Sequence, residues 1–207
     1  MRDLFDQYAS SFDDHLQQRL GYKVPSQLRS LLDARHEERR SLTSLLDMGC
    51  GTGLAGEVFA DLVEELTGVD LSERMIHKSR LKGICDALVV ADVVEYLNQP
   101  GPAFGLFVAC DVFIYLGDLL PAFRGMARRA APGATALFST ETLQNSESVA
   151  QSGVCLGQSG RFSHSAEHVI NAAEATGWQS VERLSTTLRV ERGVAVAGDL
   201  YVMSRPA

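Results

Sequence analysis

The sequence predicts an α/β protein with a doubly wound, Rossmann-like and mostly parallel seven-stranded sheet, a C-terminal antiparallel hairpin and an N-terminal helical cap. Two observations support this prediction. Short apolar segments alternate with amphipathic helical segments, and a tight turn separates the last two extended segments. Short buried strands that alternate with helices are typical of a parallel sheet covered on both faces.

The N-terminal segments are helical in pattern. Apolar residues at three- and four-residue spacings predict an amphipathic helix over residues 2–20, and a second helical pattern follows Pro25. We expect residues 1–40 to form the cap and residues 41–207 to form one globular unit.

Strands and helices then alternate regularly. The predicted strands are Leu45–Met48, Thr67–Asp70, Ala87–Val90, Phe104–Cys110 and Ala134–Ser139. The predicted helices span residues 53–65, 72–82, 92–97, 118–130 and 165–176. Glycine or proline lies at several of the junctions between a predicted helix and the next strand, as expected at helix ends.

The C-terminal segments break this alternation. Two strand patterns, Val181–Val190 and Val194–Met203, flank a turn at residues 191–193. A parallel pair would need a crossover of about a dozen residues or more, so these strands form an antiparallel hairpin. The glycine-rich stretch Gly153–Gly160 predicts an irregular surface loop.

Composition and charge exclude several classes of function. The 207 residues are 45% hydrophobic and 22% charged, with a net charge of −7. The negative charge disfavours nucleic-acid binding. No apolar stretch approaches the ~20 residues of a membrane span, and no apolar signal region follows Met1, so we expect a cytoplasmic protein without a membrane partner. The oligomeric state stays open.

The strongest local signal is a glycine loop. A buried strand, Leu45–Met48, leads directly into Gly49, Gly51 and Gly53, and a helix follows. Glycines let a ligand approach bare backbone, and ligands of open α/β sheets bind at the carboxyl ends of strands. The loop is therefore a candidate binding site.

The neighbouring acids indicate which ligand it suits. Gly51–Gly56 matches the dinucleotide pattern G-x-G-x-x-G, with Asp70 at the distance of a ribose-binding acid. The carboxylate of Asp47, just before the loop, would repel a pyrophosphate but attract an ammonium group. The loop thus favours S-adenosylmethionine, a nucleoside that carries an amino acid, over NAD.

The segment Leu46–Gly53 resembles the first motif of class I S-adenosylmethionine-dependent methyltransferases. Four later segments resemble the family's second, third and fourth strand ends and the turn before its fifth strand, in that order: Gly68–Met75, Ala91–Val93, Cys110–Phe113 and Arg129–Ala134. The resemblance implies a methyltransferase (EC 2.1.1) with S-adenosyl-L-methionine as cofactor and S-adenosyl-L-homocysteine as product.

The same resemblance assigns roles to individual residues. Asp70 would accept both ribose hydroxyls, and Asp92 would accept from the adenine amino group. The remaining cofactor contacts fall on the loop and on three strand ends: Asp47, Gly49, Cys50, Gly51, Thr52, Gly53, Leu71, Met75, Val93 and Cys110.

The flanks resemble a narrower group, predicted methyltransferases that are often described with TPR repeats. The matching segments are Phe5–Ala9, Phe12–Leu16, Leu20–Tyr22, Gly160–Ser165 and Arg189–Gly193. Because the sequence has no internal repeat, the resemblance implies a stand-alone catalytic domain. It implies no particular acceptor.

The residues that would bind the methyl acceptor are predicted from the N-terminal cap and from the ends of the later strands. N-terminal helices of this class commonly fold over the cofactor, so Tyr8 is a candidate partner for the methionine carboxylate, or it simply continues the apolar stripe of its helix. The candidate acceptor residues are Tyr22, Asp111, Tyr115 and Arg161.

Two histidines are candidate catalytic bases. His164 lies in a polar stretch before the last predicted helix, and a neutral imidazole can accept a proton near pH 7. His15 is the second candidate. The alternative for His164 is a helix-capping or solvent-facing role.

A metal site is not expected. His164–His168 matches the metallopeptidase pattern H-x-x-E-H, but such a zinc site needs a third ligand, normally a carboxylate far downstream, and the 39 residues after it read as strands. The prediction is no metal.

The most consistent function is methyl transfer to a small molecule, at an O, N, S or C atom that the sequence does not resolve. Cys110–Phe113 differs from the N-P-P-Y type of tetrapeptide, which disfavours methylation of adenine or glutamine amino groups. The alternatives are a protein side-chain methyltransferase and a non-catalytic S-adenosylmethionine-binding module.

Overall fold

The computed structural model describes residues 2, 5, 6, 21–35, 42–143 and 152–206. The strands are β1 (Ser44–Met48), β2 (Glu65–Asp70), β3 (Ala87–Val90), β4 (Phe104–Ala109), β5 (Ala130–Thr142), β6 (Val154–Leu156), β7 (Phe162–His164), β8 (Gln179–Glu191) and β9 (Val194–Ser204). The helices are α1 (Val24–Asp33), α2 (Leu54–Phe59), α3 (Glu73–Lys82), α4 (Val93–Asn98), α5 (Leu120–Arg129) and α6 (Ala166–Glu174). Short 3-10 turns occupy Ala60–Leu62 and Phe113–Tyr115.

The strands form one sheet whose first five members are parallel in the order β3-β2-β1-β4-β5. The strand order reverses at β1, because the chain runs outward from it to β2 and β3 and then returns to β4 on its other side. This reversal opens a crevice at the carboxyl ends of β1 and β4. The predicted doubly wound, mostly parallel sheet is confirmed.

Helices cover both faces of the sheet. Alternation along β1 places Leu46 in a core with residues of α4, α5 and α6, and Leu45 in a second core with residues of α1 and α2. Both leucines are fully buried because β1 is central and has a helical layer above and below. None of the described helices is long and apolar enough to cross a membrane.

The described part of the predicted cap packs directly on the sheet. Val24, Leu28 and Leu32 of α1 are fully buried in the same core as Leu45 and Leu106. The helix predicted over residues 2–20 lies outside the described residues, except for Arg2, Phe5 and Asp6. The division of the chain near residue 40 stays a prediction.

The predicted C-terminal hairpin is present as β8 and β9. Its two-residue turn, Arg192–Gly193, has φ values of 49° and 80°. Two successive positive φ values are typical of a type I′ turn, whose twist matches that of the flanking strands. β9 pairs antiparallel with β5, so the hairpin extends the sheet beyond the parallel strands.

The stretch predicted as a loop instead contains β6, and β6 pairs with β7. Glu141 of β5 pairs with Ser163 of β7 on one edge and with Gly198 of β9 on the other. The β6–β7 hairpin therefore continues the sheet beyond the carboxyl end of β4. The sheet has nine strands rather than the predicted seven, because three-residue strands are too short to produce a recognisable alternation.

Gly198 offers a test of how the hairpin is held. A Cβ atom at Gly198 would clash with the Leu188 side chain and lie 2.6 Å from the Thr140 carbonyl oxygen. We expect Gly198→Ala to lower the free energy of unfolding by about 1–3 kcal/mol through overpacking, as measured by urea denaturation. Gly157→Ala is the control, since its Cβ would meet neighbours only at 3.4 Å or more. Equal stability of the two variants would contradict the tight β5–β9 packing.

Candidate functional site

A cavity of about 460 Å³ lies at the carboxyl ends of β1, β2, β3 and β4. It is lined by most of the predicted cofactor residues: Asp47, Gly49, Cys50, Gly51, Thr52, Asp70, Leu71, Met75, Asp92, Val93 and Cys110. It is also lined by the predicted acceptor residues Tyr22, Asp111, Tyr115 and Arg161. The tertiary structure thus gathers residues that are up to 139 positions apart (161 minus 22) around one space.

The glycine loop forms the floor of this cavity. Gly49, Gly51 and Gly53 all have positive φ, so the chain turns sharply between β1 and α2. A Cβ atom at Gly49 would lie 2.5 Å from Cγ2 of Val112, which also lines the cavity. Gly49 is therefore required both by the turn and by the close approach of the β4 end. Gly53 is the N-cap of α2 and does not line the cavity.

Asp70 ends β2 beside the loop. One carboxylate oxygen accepts a hydrogen bond from the Gly51 amide (2.9 Å) and the other from the Ser72 amide (2.8 Å). Burial raises the pKa of Asp70 above its ordinary value, and these two amides oppose the rise. The two hydrogen bonds fix the carboxylate toward the cavity between loop and strand end.

Asp47 is the most perturbed acid in the site. It is 1% exposed, and its Oδ2 has no hydrogen-bond partner among the described residues. Burial, followed by the nearby charge of Asp70, raises the pKa of Asp47 from 3.8 to about 7. A buried carboxylate oxygen without a donor suits a ligand that brings a positive donor group, such as an ammonium.

Asp92 follows β3 and caps α4. Its Oδ1 accepts hydrogen bonds from the Val94 amide (2.8 Å) and the Glu95 amide (3.0 Å). Val93 and Val94 line the same end of the cavity. The cap explains the abrupt change from strand to helix at this point.

Aromatic and charged side chains form the opposite end of the cavity. The Arg161 Nε donates to the Tyr115 hydroxyl at 3.4 Å, and the Phe5 ring packs edge-on against Tyr115 at 5.6 Å between centroids. Tyr22 lies beside Cys110, and burial raises the pKa of both groups. This end therefore combines aromatic walls with the charged side chains of Arg161 and Asp111.

Arg189 of β8 also lines the cavity. The sequence included it in a segment that resembles the narrower methyltransferase group, but did not predict it as a site residue. Its guanidinium forms ion pairs with Asp111 (2.8 Å), with Glu191 (2.6 Å) and with Glu141. An arginine in an extended segment reads as an exposed strand residue. Only the pairing of β8 with β9, and of β9 with β5, carries it beneath the end of β4.

The structure does not bring His164 into the cavity. Its side chain is fully buried, with Nε2 at 2.9 Å from the Leu116 carbonyl oxygen, and burial lowers its pKa. This residue lies in β7 behind the cavity wall, because the unpredicted β6–β7 hairpin turns it inward. The structure therefore does not place the ring among the residues that line the cavity, which disfavours the predicted role of His164 as a base.

Two further predicted residues, Tyr8 and His15, lie outside the described residues. Of the residues that the structure does describe, no group of three His, Cys, Asp or Glu side chains is arranged to hold a metal ion. His164 and His168 do stack, at 5.8 Å between ring centroids, but neither lines the cavity.

Residues 46–138 match a family model described as a methyltransferase domain. A malonyl-[acyl-carrier protein] O-methyltransferase from Pseudescherichia vulneris is 31% identical over 136 residues, which cover 66% of this chain and 51% of that protein. A ubiquinone biosynthesis O-methyltransferase from Bordetella pertussis is 34% identical over 101 residues, which cover 46% of this chain and 42% of that protein. The chain thus spans about half the length of these relatives.

One solved structure matches almost the whole chain. A S-adenosylmethionine-dependent methyltransferase from Clostridium acetobutylicum has a TM-score of 0.70 at 14% identity, and the alignment covers 99% of this chain and 100% of that one. At this level of identity the similarity shows a shared fold.

The pKa of Asp47 leads to a prediction on stability. Because folding raises this pKa, the folded state binds the Asp47 proton more tightly than the unfolded state. The free energy of unfolding should therefore fall as the pH rises from about 4 to about 7, by up to about 1.4 kcal/mol per unit. Because of Asp47, the free energy of unfolding of the wild type should be about 2 kcal/mol higher at pH 5 than at pH 8. We expect Asp47→Asn to lose this part of the pH dependence, as measured by urea denaturation at the two pH values. The control is Glu64→Gln at an exposed site, which should keep the wild-type pH dependence of the unfolding free energy. The same pH dependence in Asp47→Asn as in the wild type would contradict the raised pKa of Asp47.

Proposed function

From the methyltransferase-domain match of residues 46–138 and the class I methyltransferase fold around it, we propose that this chain uses S-adenosylmethionine to methylate a small-molecule acceptor. The names of the two relatives describe a malonyl-[acyl-carrier protein] O-methyltransferase and a ubiquinone biosynthesis O-methyltransferase, and the chain spans only part of each. We therefore infer the class of acceptor from the cavity itself.

The observation that carries the proposal is Oδ2 of Asp47, which has no hydrogen-bond partner in the part of the chain that the structure describes and lies in the same cavity as the Asp70 carboxylate. S-adenosylmethionine has an ammonium group at one end and ribose hydroxyls near its centre. The Asp47 carboxylate is suited to the ammonium group and the Asp70 carboxylate to the ribose hydroxyls. Asp92, which follows the next strand of the sheet, is suited to the adenine. A dinucleotide would instead place a pyrophosphate near Asp47, which electrostatic repulsion disfavours.

The acceptor would bind at the end formed by Tyr22, Tyr115 and Phe5. The cavity volume of 460 Å³ is within the usual range for a small-ligand site. With S-adenosylmethionine bound, limited room remains for the acceptor. The enclosing aromatic rings favour a small acceptor that packs against them over an extended polymer, and Arg161 and Asp111 offer it polar contacts.

The chemistry needs positioning more than a covalent catalyst. S-adenosylmethionine supplies an activated methyl group when it binds, and transfer is an in-line displacement. The chain's contribution is to hold both reactants in line and to exclude water from the apolar cavity walls. Among the described residues that line the cavity there is no histidine, so the role proposed for them is orientation. His15 stays a candidate base from the sequence.

Transfer of label from methyl-labelled S-adenosylmethionine into a metabolite extract tests this function. We expect labelled low-molecular-mass product with wild-type enzyme. Label in the protein fraction would favour a protein side-chain acceptor. Cofactor binding without any transfer would favour a non-catalytic binding module.

Asp70 variants test the cofactor site. We expect Asp70→Ala to weaken binding of S-adenosylhomocysteine by about 2–4 kcal/mol, because a charged acceptor for two hydroxyls is lost. Asp70→Asn should lose less, since one acceptor oxygen remains. Isothermal calorimetry gives the affinities, with exposed Glu73→Gln as a control. Equal affinity in all four proteins, or tight binding of NAD instead, would refute the cofactor assignment.

Tyr115→Phe tests the acceptor end. The variant keeps the ring that packs on Phe5 but removes the hydroxyl that meets Arg161. We expect the rate of methyl transfer to fall about tenfold, as for one lost hydrogen bond, with affinity for S-adenosylhomocysteine unchanged within about threefold. A parallel loss of cofactor affinity would instead place Tyr115 at the cofactor.

A further inference from the structure

The guanidinium of Arg189 is buried at the centre of an ionic cluster. Its side chain is 2% exposed, and each of its three nitrogens contacts a different carboxylate. Nη1 contacts Asp111 at 2.8 Å, Nε contacts Glu191 at 2.6 Å, and Nη2 contacts Glu141. Arg161 also pairs with Glu191, so three carboxylates and two guanidiniums meet here.

One member of this cluster has an unusual backbone. Asp111 has a φ of +57°, in the left-handed region that residues other than glycine rarely adopt. It lies two residues after the end of β4 at Ala109, at the carboxyl end of the sheet. The conformation must be imposed by its surroundings, and strained residues of this kind tend to occur at functional sites.

Two neighbours hold Asp111 in place. The Ser139 hydroxyl accepts from the Asp111 amide at 2.9 Å and donates to its Oδ1 at 3.1 Å. Arg189 contacts the other carboxylate oxygen, Oδ2. Burial raises the pKa of Asp111, and the charge of Arg189 opposes that rise. The charge of Arg189 therefore favours the ionised form of the carboxylate that anchors the strained residue.

The conformation of Asp111 affects the cavity through its two chain neighbours. Cys110 precedes it and Val112 follows it, and both line the cavity. Val112 packs so closely on Gly49 that a Cβ there would lie 2.5 Å away. A relaxed Asp111 would displace Val112, and with it the wall that faces the glycine loop.

We propose that Arg189 is a positioning residue for methyl transfer, which holds Asp111 in its left-handed conformation and so sets the wall of the cofactor cavity at the end of β4. The proposal rests on the proposed function. The C-terminal hairpin, which is remote from the loop and strand ends of the family resemblance, thereby takes part in the site.

The test separates backbone conformation from charge. Glycine adopts a φ of +57° at no steric cost, whereas alanine does not. We expect Asp111→Ala to weaken S-adenosylhomocysteine binding about tenfold and Asp111→Gly to weaken it about threefold less than alanine does, since only alanine is strained at this φ. Arg189→Met should resemble Asp111→Ala, and Arg189→Lys should recover part of the affinity because a cation remains opposite Asp111.

A double variant isolates the coupling. In an Asp111→Gly background, Arg189→Met should weaken binding by no more than about threefold, because glycine no longer needs to be held. Arg183→Met is the matched control, since Arg183 lies on the same strand and forms an ion pair with Asp199, away from the cavity. Calorimetry is run below the unfolding transition of every variant, as checked by circular dichroism.

The outcomes are distinct. Wild-type affinity in folded Arg189→Met, or equal weakening by Asp111→Gly and Asp111→Ala, would overturn the positioning role while leaving the proposed function intact. Failure of the wild-type chain to bind S-adenosylhomocysteine would overturn the proposed function and this role together. If Arg189→Met does not fold, the alanine and glycine pair at Asp111 together with Arg189→Lys decides the question.

Discussion

The central position of β1 is the constraint on which the rest of the site depends. β1 pairs in parallel with β2 on one edge and with β4 on the other, in a register that sets Asp47 beside Gly68 and Val108. Parallel pairing brings the carboxyl ends of all these strands to one edge of the sheet. Because the chain leaves β1 and β4 toward different faces, the two strand ends diverge and a crevice opens between them. The glycine loop, the acids and the aromatic wall are positioned by that divergence.

Burial gives this crevice its electrostatic character. Asp47, Asp70 and Asp111 all have raised pKa values for the same first reason, which is desolvation of a carboxylate. Backbone amides compensate Asp70, and Ser139 and Arg189 compensate Asp111, whereas Oδ2 of Asp47 has no donor among the described residues. A buried carboxylate oxygen without a donor is unfavourable, so a positively charged ligand group beside Asp47 is favoured. The cost of desolvating these acids is thus linked to ligand preference, and it explains why the cavity suits a sulfonium amino acid better than a diphosphate.

The two hairpins give the acceptor end its shape. β6 and β7 extend the sheet past the end of β4, and the turn that follows β6 delivers Arg161 to Tyr115. β8 delivers Arg189 from the opposite edge of β5. A parallel sheet alone would leave this end open, since β4 stops at Ala109. The shape of the acceptor end is therefore a product of strand pairings that have high sequence separation.

The sequence by itself determined the parallel strands, the C-terminal hairpin and the residues of the glycine loop, because each depends on a local pattern: apolar periodicity, turn chemistry, or glycines at fixed spacing. It also indicated Asp47, Asp70 and Asp92, since each lies within two residues of the carboxyl end of a predicted strand. Only the tertiary structure decided which side chains face the cavity at the acceptor end. His164 was turned into the core by a three-residue strand too short to be recognised, and Arg189 was brought to the cavity by pairing β8 through β9 to β5. Such placements depend on contacts between residues far apart in the chain, and no local pattern in the sequence records them.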